Sequence, residues 1–162
     1  METNKRFREE LLNSVGTLTD EQINLQIEEG RWTIAQILEH LYLMETSITK
    51  AIVEVLGSGE SQPAEDKPIH LAVNRAHRVE APIFVTPSDD YKTLHELTEK
   101  LTSSRQLLIS IVNTAEEDQL KQKSYPHPVF GRLSLFQWIP FVGYHEKRHL
   151  EQIEELKAKL IN

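Results

Sequence analysis

Two histidines one helical turn apart, His145 and His149, are the residues of this chain best suited to chemistry. They lie between Ser134 and Leu160, a stretch read as a helix because Leu135, Trp138, Val142, Ile153, Leu156 and Leu160 share one stripe at about 100° per residue. Both imidazoles fall on that apolar stripe, ~6 Å apart along the axis. Taking two polar rings out of water is unfavourable unless each finds a partner. A divalent cation bound by neutral imidazole nitrogens suits an i, i+4 pair. The competing reading is a pair of partly exposed structural histidines.

His145-Glu-Lys-Arg-His149 also matches H-E-x-x-H, the zinc-peptidase motif whose Glu is the general base. The rest of that pattern is missing. A metzincin carries Gly at 152 and His at 155, where this chain has Gln152 and Glu155, and no sheet is expected beside the helix. Glu146 is turned about 100° from His145 and need not face the same space. A third ligand must therefore come from another helix, and His40 is the best placed. Three neutral histidines would leave the ion its full charge and at least one open position, as in catalytic rather than closed structural sites. His70 and His77 lack any supporting pattern and read as solvated or packing residues. His127, between two prolines, reads as a loop residue, and Gln152 as a polar flank.

Three helix starts are written as capping boxes with apolar staples: Thr19 with Gln22, Thr33 with Gln36, and Ser134 with Gln137. Residues 2 to 14 form a short amphipathic helix. The helix after Thr33 runs to about Leu56 on the stripe Ile34, Ile37, Leu38, Leu41, Met44, Ile48, Ile52 and Val55, with His40 on its flank. Residues 57 to 88 form a long Pro-rich connection, with a short helix after Pro68; ordered connections of this length usually cover something or cross the end of a bundle. A third long helix begins near Ser88, with Leu94, Leu97, Leu101, Ser104, Leu108, Ile111 and Ala115 on its stripe. Ser104 reads as a small residue easing helix packing. Residues 118 to 133 read as a loop, and Pro140 predicts a kink ahead of the histidine pair. The architecture expected is an all-α four-helix bundle in a single domain over residues 1–162.

The balance of charge excludes several partners. With 25 acidic against 18 basic residues the net charge is −7 and no Lys/Arg cluster appears, which argues against nucleic acid and anionic membrane. There is no Cys, so neither a thiolate ligand nor a cysteine nucleophile comes from the chain. No run reaches transmembrane length and the first residues lack a signal-peptide core, so a cytoplasmic location is expected.

The pattern Trp32-Thr-Ile-Ala-Gln-Ile-Leu-Glu-His40-Leu, then Ala81-Pro-Ile-Phe-Val-Thr-Pro87, then Gly131-Arg-Leu-Ser-Leu-Phe-Gln-Trp138 and His145-x3-His149-x2-Gln152-Ile153 resembles the DinB/YfiT superfamily over nearly the whole chain. That resemblance implies a four-helix bundle holding a divalent metal (zinc, or nickel, manganese, iron or cobalt) on His40, His145 and His149. It also implies an activity among metal-dependent thiol transferases using bacillithiol-like thiols, or among hydrolases. The leading expectation is transfer of a small-molecule thiol to an electrophilic substrate. Metal-dependent hydrolysis and a non-catalytic metal-binding bundle are the alternatives, no catalytic base is assigned, and a homodimer is the oligomer expected.

Overall fold

The computed structural model describes residues 1–76 and 78–160; His77, read above as solvated or packing, lies outside the described residues. The chain forms α1 (Glu2–Val15), α2 (Asp20–Asn24), α3 (Ile34–Gly57), α4 (Leu94–Thr114), α5 (Glu117–Gln122), β1 (Ser124–His127), β2 (Gly131–Ser134) and α6 (Leu135–Leu160). Helices α1, α3, α4 and α6 make a four-helix bundle in which α1 packs along α6, α4 along α3, and α3 meets α6. No described helix is long and apolar enough to cross a membrane.

Local chemistry accounts for the helix starts. Thr19 and Thr33 each accept the backbone N–H of Gln22 and Gln36, whose side chains reach back to the threonine N–H, so both boxes close. Ser134 accepts from Gln137 N–H, but the Gln137 amide is turned onto the backbone of Lys67 instead. Helix α4 starts at Leu94, six residues later than expected near Ser88. Its box is Thr93 with Glu96. The delay is tertiary: Asn24 pairs with both backbone groups of Lys92, and Asp20 accepts from Leu94 N–H, which holds the preceding chain extended.

Residues 118 to 133 are not a loop. They hold α5 and an antiparallel hairpin in which Ser124 faces Ser134 and His127 faces Gly131. Pro126 and Pro128 hide the strand alternation, yet a two-stranded hairpin consists of edges, where proline is tolerated. Gly131 closes it at φ +72°, a conformation that favours glycine.

The core is split in two. One apolar cluster centres on Leu11, Ile37, Leu41, Leu101, Leu150 and Ile153, the other on Ile48, Leu108, Leu133, Leu135, Trp138 and Val142. Between them lies an ionic layer. Glu146 accepts from Arg8 Nε at 2.6 Å, Arg8 Nη2 at 3.2 Å and Arg105 Nη2 at 3.1 Å, while Glu45 accepts from Arg8 at 3.0 Å and Arg105 at 2.6 Å. Ser104 donates to Glu45 at 2.6 Å, so it is a member of this network rather than a small packing residue. The quartet is neutral as a unit and joins all four long helices. Arg8 also donates to the carbonyl of Leu101 and Arg105 to that of Asn4, so both cations are paired and hydrogen-bonded, as burial demands.

Beside Gly143 the backbone of α1 comes close: a Cβ there would overlap the Asn4 side chain and lie 3.2 Å from the Asn4 Cα. The Asn4 amide donates to Ile139 O at 2.8 Å, next to Pro140, and α6 continues through that proline to Leu160.

Candidate metal centre

The connection between α3 and α4 is laid lengthwise on α6 before it returns to α3. Lys67 bonds Gln137, Ala72 and Asn74 accept from Arg148, and Arg75 pairs with Glu155. The 3-10 turn Ile83–Val85 then sits against α3. The described residues of this connection cover the α3–α6 seam, as its length led one to expect.

Under it, His40 from α3 and His145 and His149 from α6 converge, with one ligand nitrogen from each lying within 4.8 Å of the others. His40 is 2% exposed, far more deeply set than a boundary histidine, because Trp32 packs on its ring at 4.9 Å and the turn covers it. Its Nδ1 is 2.8 Å from Val85 O, so Nδ1 carries the proton and Nε2 offers a lone pair. His149 Nδ1 is 2.9 Å from Gln152 Oε1, which fixes the same tautomer. Gln152 is thus a partner of the site and not a mere polar flank. Orienting hydrogen bonds of this kind on the far ring nitrogen are typical of metal-binding histidines.

His40 Nε2 and His145 Nε2 are 3.2 Å apart. That is close to the ~3.3 Å edge of a tetrahedron with metal–nitrogen bonds of about 2.0–2.1 Å. Burial is the largest effect on all three rings: it holds His40 below the ordinary imidazole value, His145 well below it, and His149 at about 3. The rings are therefore neutral near pH 7, the form a cation needs. An all-nitrogen donor set in a partly closed site fits zinc, and nickel, iron or cobalt nearly as well.

The other sequence candidates are elsewhere. Glu146 is 2% exposed and belongs to the ionic layer, facing Arg8 and Arg105. His70 is exposed. His127 is half-buried against Trp138 and Phe141, one ring removed from His145. Sequence reasoning missed Val85 as a partner of His40, although the Pro-bounded Ile83-Phe-Val85 stretch was visible; a backbone acceptor has no side-chain signature.

A profile of the DinB superfamily matches residues 4–153, so the chain belongs to that superfamily. It is 31% identical over 153 residues to the uncharacterised protein YuaE of Bacillus subtilis (strain 168), with 94% of each chain covered. Among solved structures it is similar to the four-helix bundle protein TT2238, with a TM-score of 0.66, 21% identity and 95% and 94% of the two chains covered. It is likewise similar to YfiT from Bacillus subtilis, with a TM-score of 0.66, 16% identity and 98% and 84% coverage. YfiT is described as a probable metal-dependent hydrolase with an unusual four-helix bundle topology.

Proposed function

We propose that this protein is a metal-dependent enzyme in which His40, His145 and His149 hold one divalent cation, and that it transfers a low-molecular-weight thiol, such as bacillithiol, to an electrophile. The observation that carries this reading is the convergence of three buried, neutral imidazoles, two of them with the far nitrogen fixed by a hydrogen-bond acceptor. A bound cation supplies a Lewis acid that converts a thiol of ordinary pKa ≈ 8.5 into a thiolate near neutral pH. The chain's own part is positional. Val85 O and Gln152 Oε1 aim the ring nitrogens, Trp32 closes one side, and the covering connection limits access of water.

Hydrolysis is the second reading, favoured by the likeness to YfiT. Activating water at such a site is helped by a nearby carboxylate base. The acids close to the seam are engaged elsewhere: Glu45 and Glu146 by arginines and Glu39 by Lys92 at 3.2 Å. This distribution supports thiol transfer over hydrolysis.

The test is cobalt substitution followed by a panel of cellular thiols. Thiol transfer predicts new sulfur-to-metal charge-transfer absorption, release of a proton on binding, and metal-dependent conjugation to a model electrophile. No new absorption together with metal-dependent cleavage of an ester or amide would refute it in favour of hydrolysis.

A further inference from the structure

Glu39 is a carboxylate almost out of water, 9% exposed, one residue before His40 on α3. Its Oε2 accepts the Ser88 N–H at 3.2 Å and lies 3.2 Å from the Lys92 ammonium, which itself donates to Ser88 Oγ at 2.6 Å. The three residues close a ring between α3 and the chain that leads into α4. An ion pair this far from water repays the desolvation of its charges poorly, so stability alone is a weak account of it. What the carboxylate supplies is a fixed acceptor for one backbone N–H.

That N–H is three residues beyond Val85, whose carbonyl lies 2.8 Å from His40 Nδ1. The link between the two is stiff. Pro87 has a fixed φ, Thr86 before it is extended at φ −82° and ψ 125°, and the Thr86 hydroxyl donates to Pro82 O at 3.0 Å. Gripping Ser88 therefore sets where the Val85 carbonyl points. In the turn Ile83–Val85 only Val85 is buried, whereas Ile83 and Phe84 are exposed and give the turn no hold on the bundle. Gln36 also reaches Ser88 O, at 3.3 Å, but in exposed surroundings.

We infer that Glu39 is a positioning residue for the metal centre: by holding the Ser88 N–H it keeps the Val85 carbonyl on His40 Nδ1, and so keeps His40 Nε2 aimed as a ligand. The inference rests on the three-histidine metal reading given above. Glu39 acts through the covering segment and is not one of the converging ligand groups. Because the group that orients His40 comes from the cover and not from the bundle, covering the seam and aiming this ligand are one event.

The test uses the full-length variants Glu39→Met, of similar length but with no such acceptor, and Glu39→Gln, whose amide oxygen can still accept from Ser88. Neither change leaves a large cavity or an unpaired buried carboxylate, so both proteins should fold. Zinc affinity is measured on the folded proteins by chelator competition near neutral pH. Glu39→Met should bind about 10- to 100-fold more weakly, the usual effect of losing an outer partner of a ligand, and Glu39→Gln should stay near wild type. In the metal-free proteins, NMR shifts of the His40 ring nitrogens should report a single Nδ1–H tautomer in wild type and Glu39→Gln, and a mixture of both tautomers in Glu39→Met. A purely structural role would lower the melting point and leave both readouts unmoved. Equal zinc affinity in Glu39→Met and wild type, a Glu39→Gln as weak as Glu39→Met, or an unchanged tautomer in Glu39→Met would overturn the role of Glu39. If wild type takes up no zinc, the metal reading fails, and the tautomer comparison still decides whether Glu39 orients His40.

Discussion

Glu146→Gln separates the peptidase-like motif from what the residue does here. The carboxylate accepts three hydrogen bonds from Arg8 and Arg105, all in the core. The amide keeps one acceptor oxygen but turns an N–H pair toward a guanidinium, and the buried quartet changes from neutral to one net positive charge. Breaking a buried ion pair by removing one partner costs about 3–5 kcal/mol. For a domain of this size that corresponds to a fall in melting temperature of roughly 6–20 °C. The assay is thermal unfolding by circular dichroism with zinc content measured on the folded protein. Metal content should stay at the wild-type level, because Glu146 faces away from His40 and His149. Removing a cation as well, in Arg8→Met/Glu146→Gln, should cost less than the sum of the single changes, since the charges cancel again. A melting point within about 2 °C of wild type, or a loss of metal at full stability, would refute the placement of Glu146 in the ionic layer.

Two further outcomes are expected. Gln152→Ala should weaken zinc binding about 10- to 100-fold in chelator competition, by releasing the acceptor that orients His149, and Gln152→Glu should restore it; equal affinity in all three proteins would count against the orienting role. Because the folded His40, His145 and His149 titrate below the ordinary 6.5, the unfolded chain takes up protons first. Metal-free protein should therefore keep a constant melting point above about pH 7.5 and lose stability as pH falls below 6.5, the contribution of His149 ending only near pH 3. A flat profile between pH 7 and 5 by calorimetry would show that the rings are not buried neutral.

The helices were legible because their signals are local. The stripes of α3, α4 and α6 follow a 3.6-residue period, and the Thr19 and Thr33 boxes fix two starts within four residues of sequence. The hairpin was hidden because Pro126 lies inside, and Pro128 just beyond, a strand of only four residues, and the start of α4 because Asn24 and Asp20, some seventy residues away in the chain, set it.

For the candidate centre the same division holds. The i, i+4 spacing of His145 and His149 on an apolar stripe, and the flank position of His40, are properties of helix geometry, so the sequence alone could nominate all three. It could not say what satisfies a buried polar atom, because that partner comes from wherever the chain returns. Val85 O reaches His40 across 45 residues, and Arg8 reaches Glu146 across 138. Ser104 read as a small packing residue, yet it donates to Glu45, which is paired with the arginines of α1 and α4. Periodicity determined which faces turn inward; the tertiary packing decided which inward polar groups form an ionic layer and which converge, neutral and oriented, on one point.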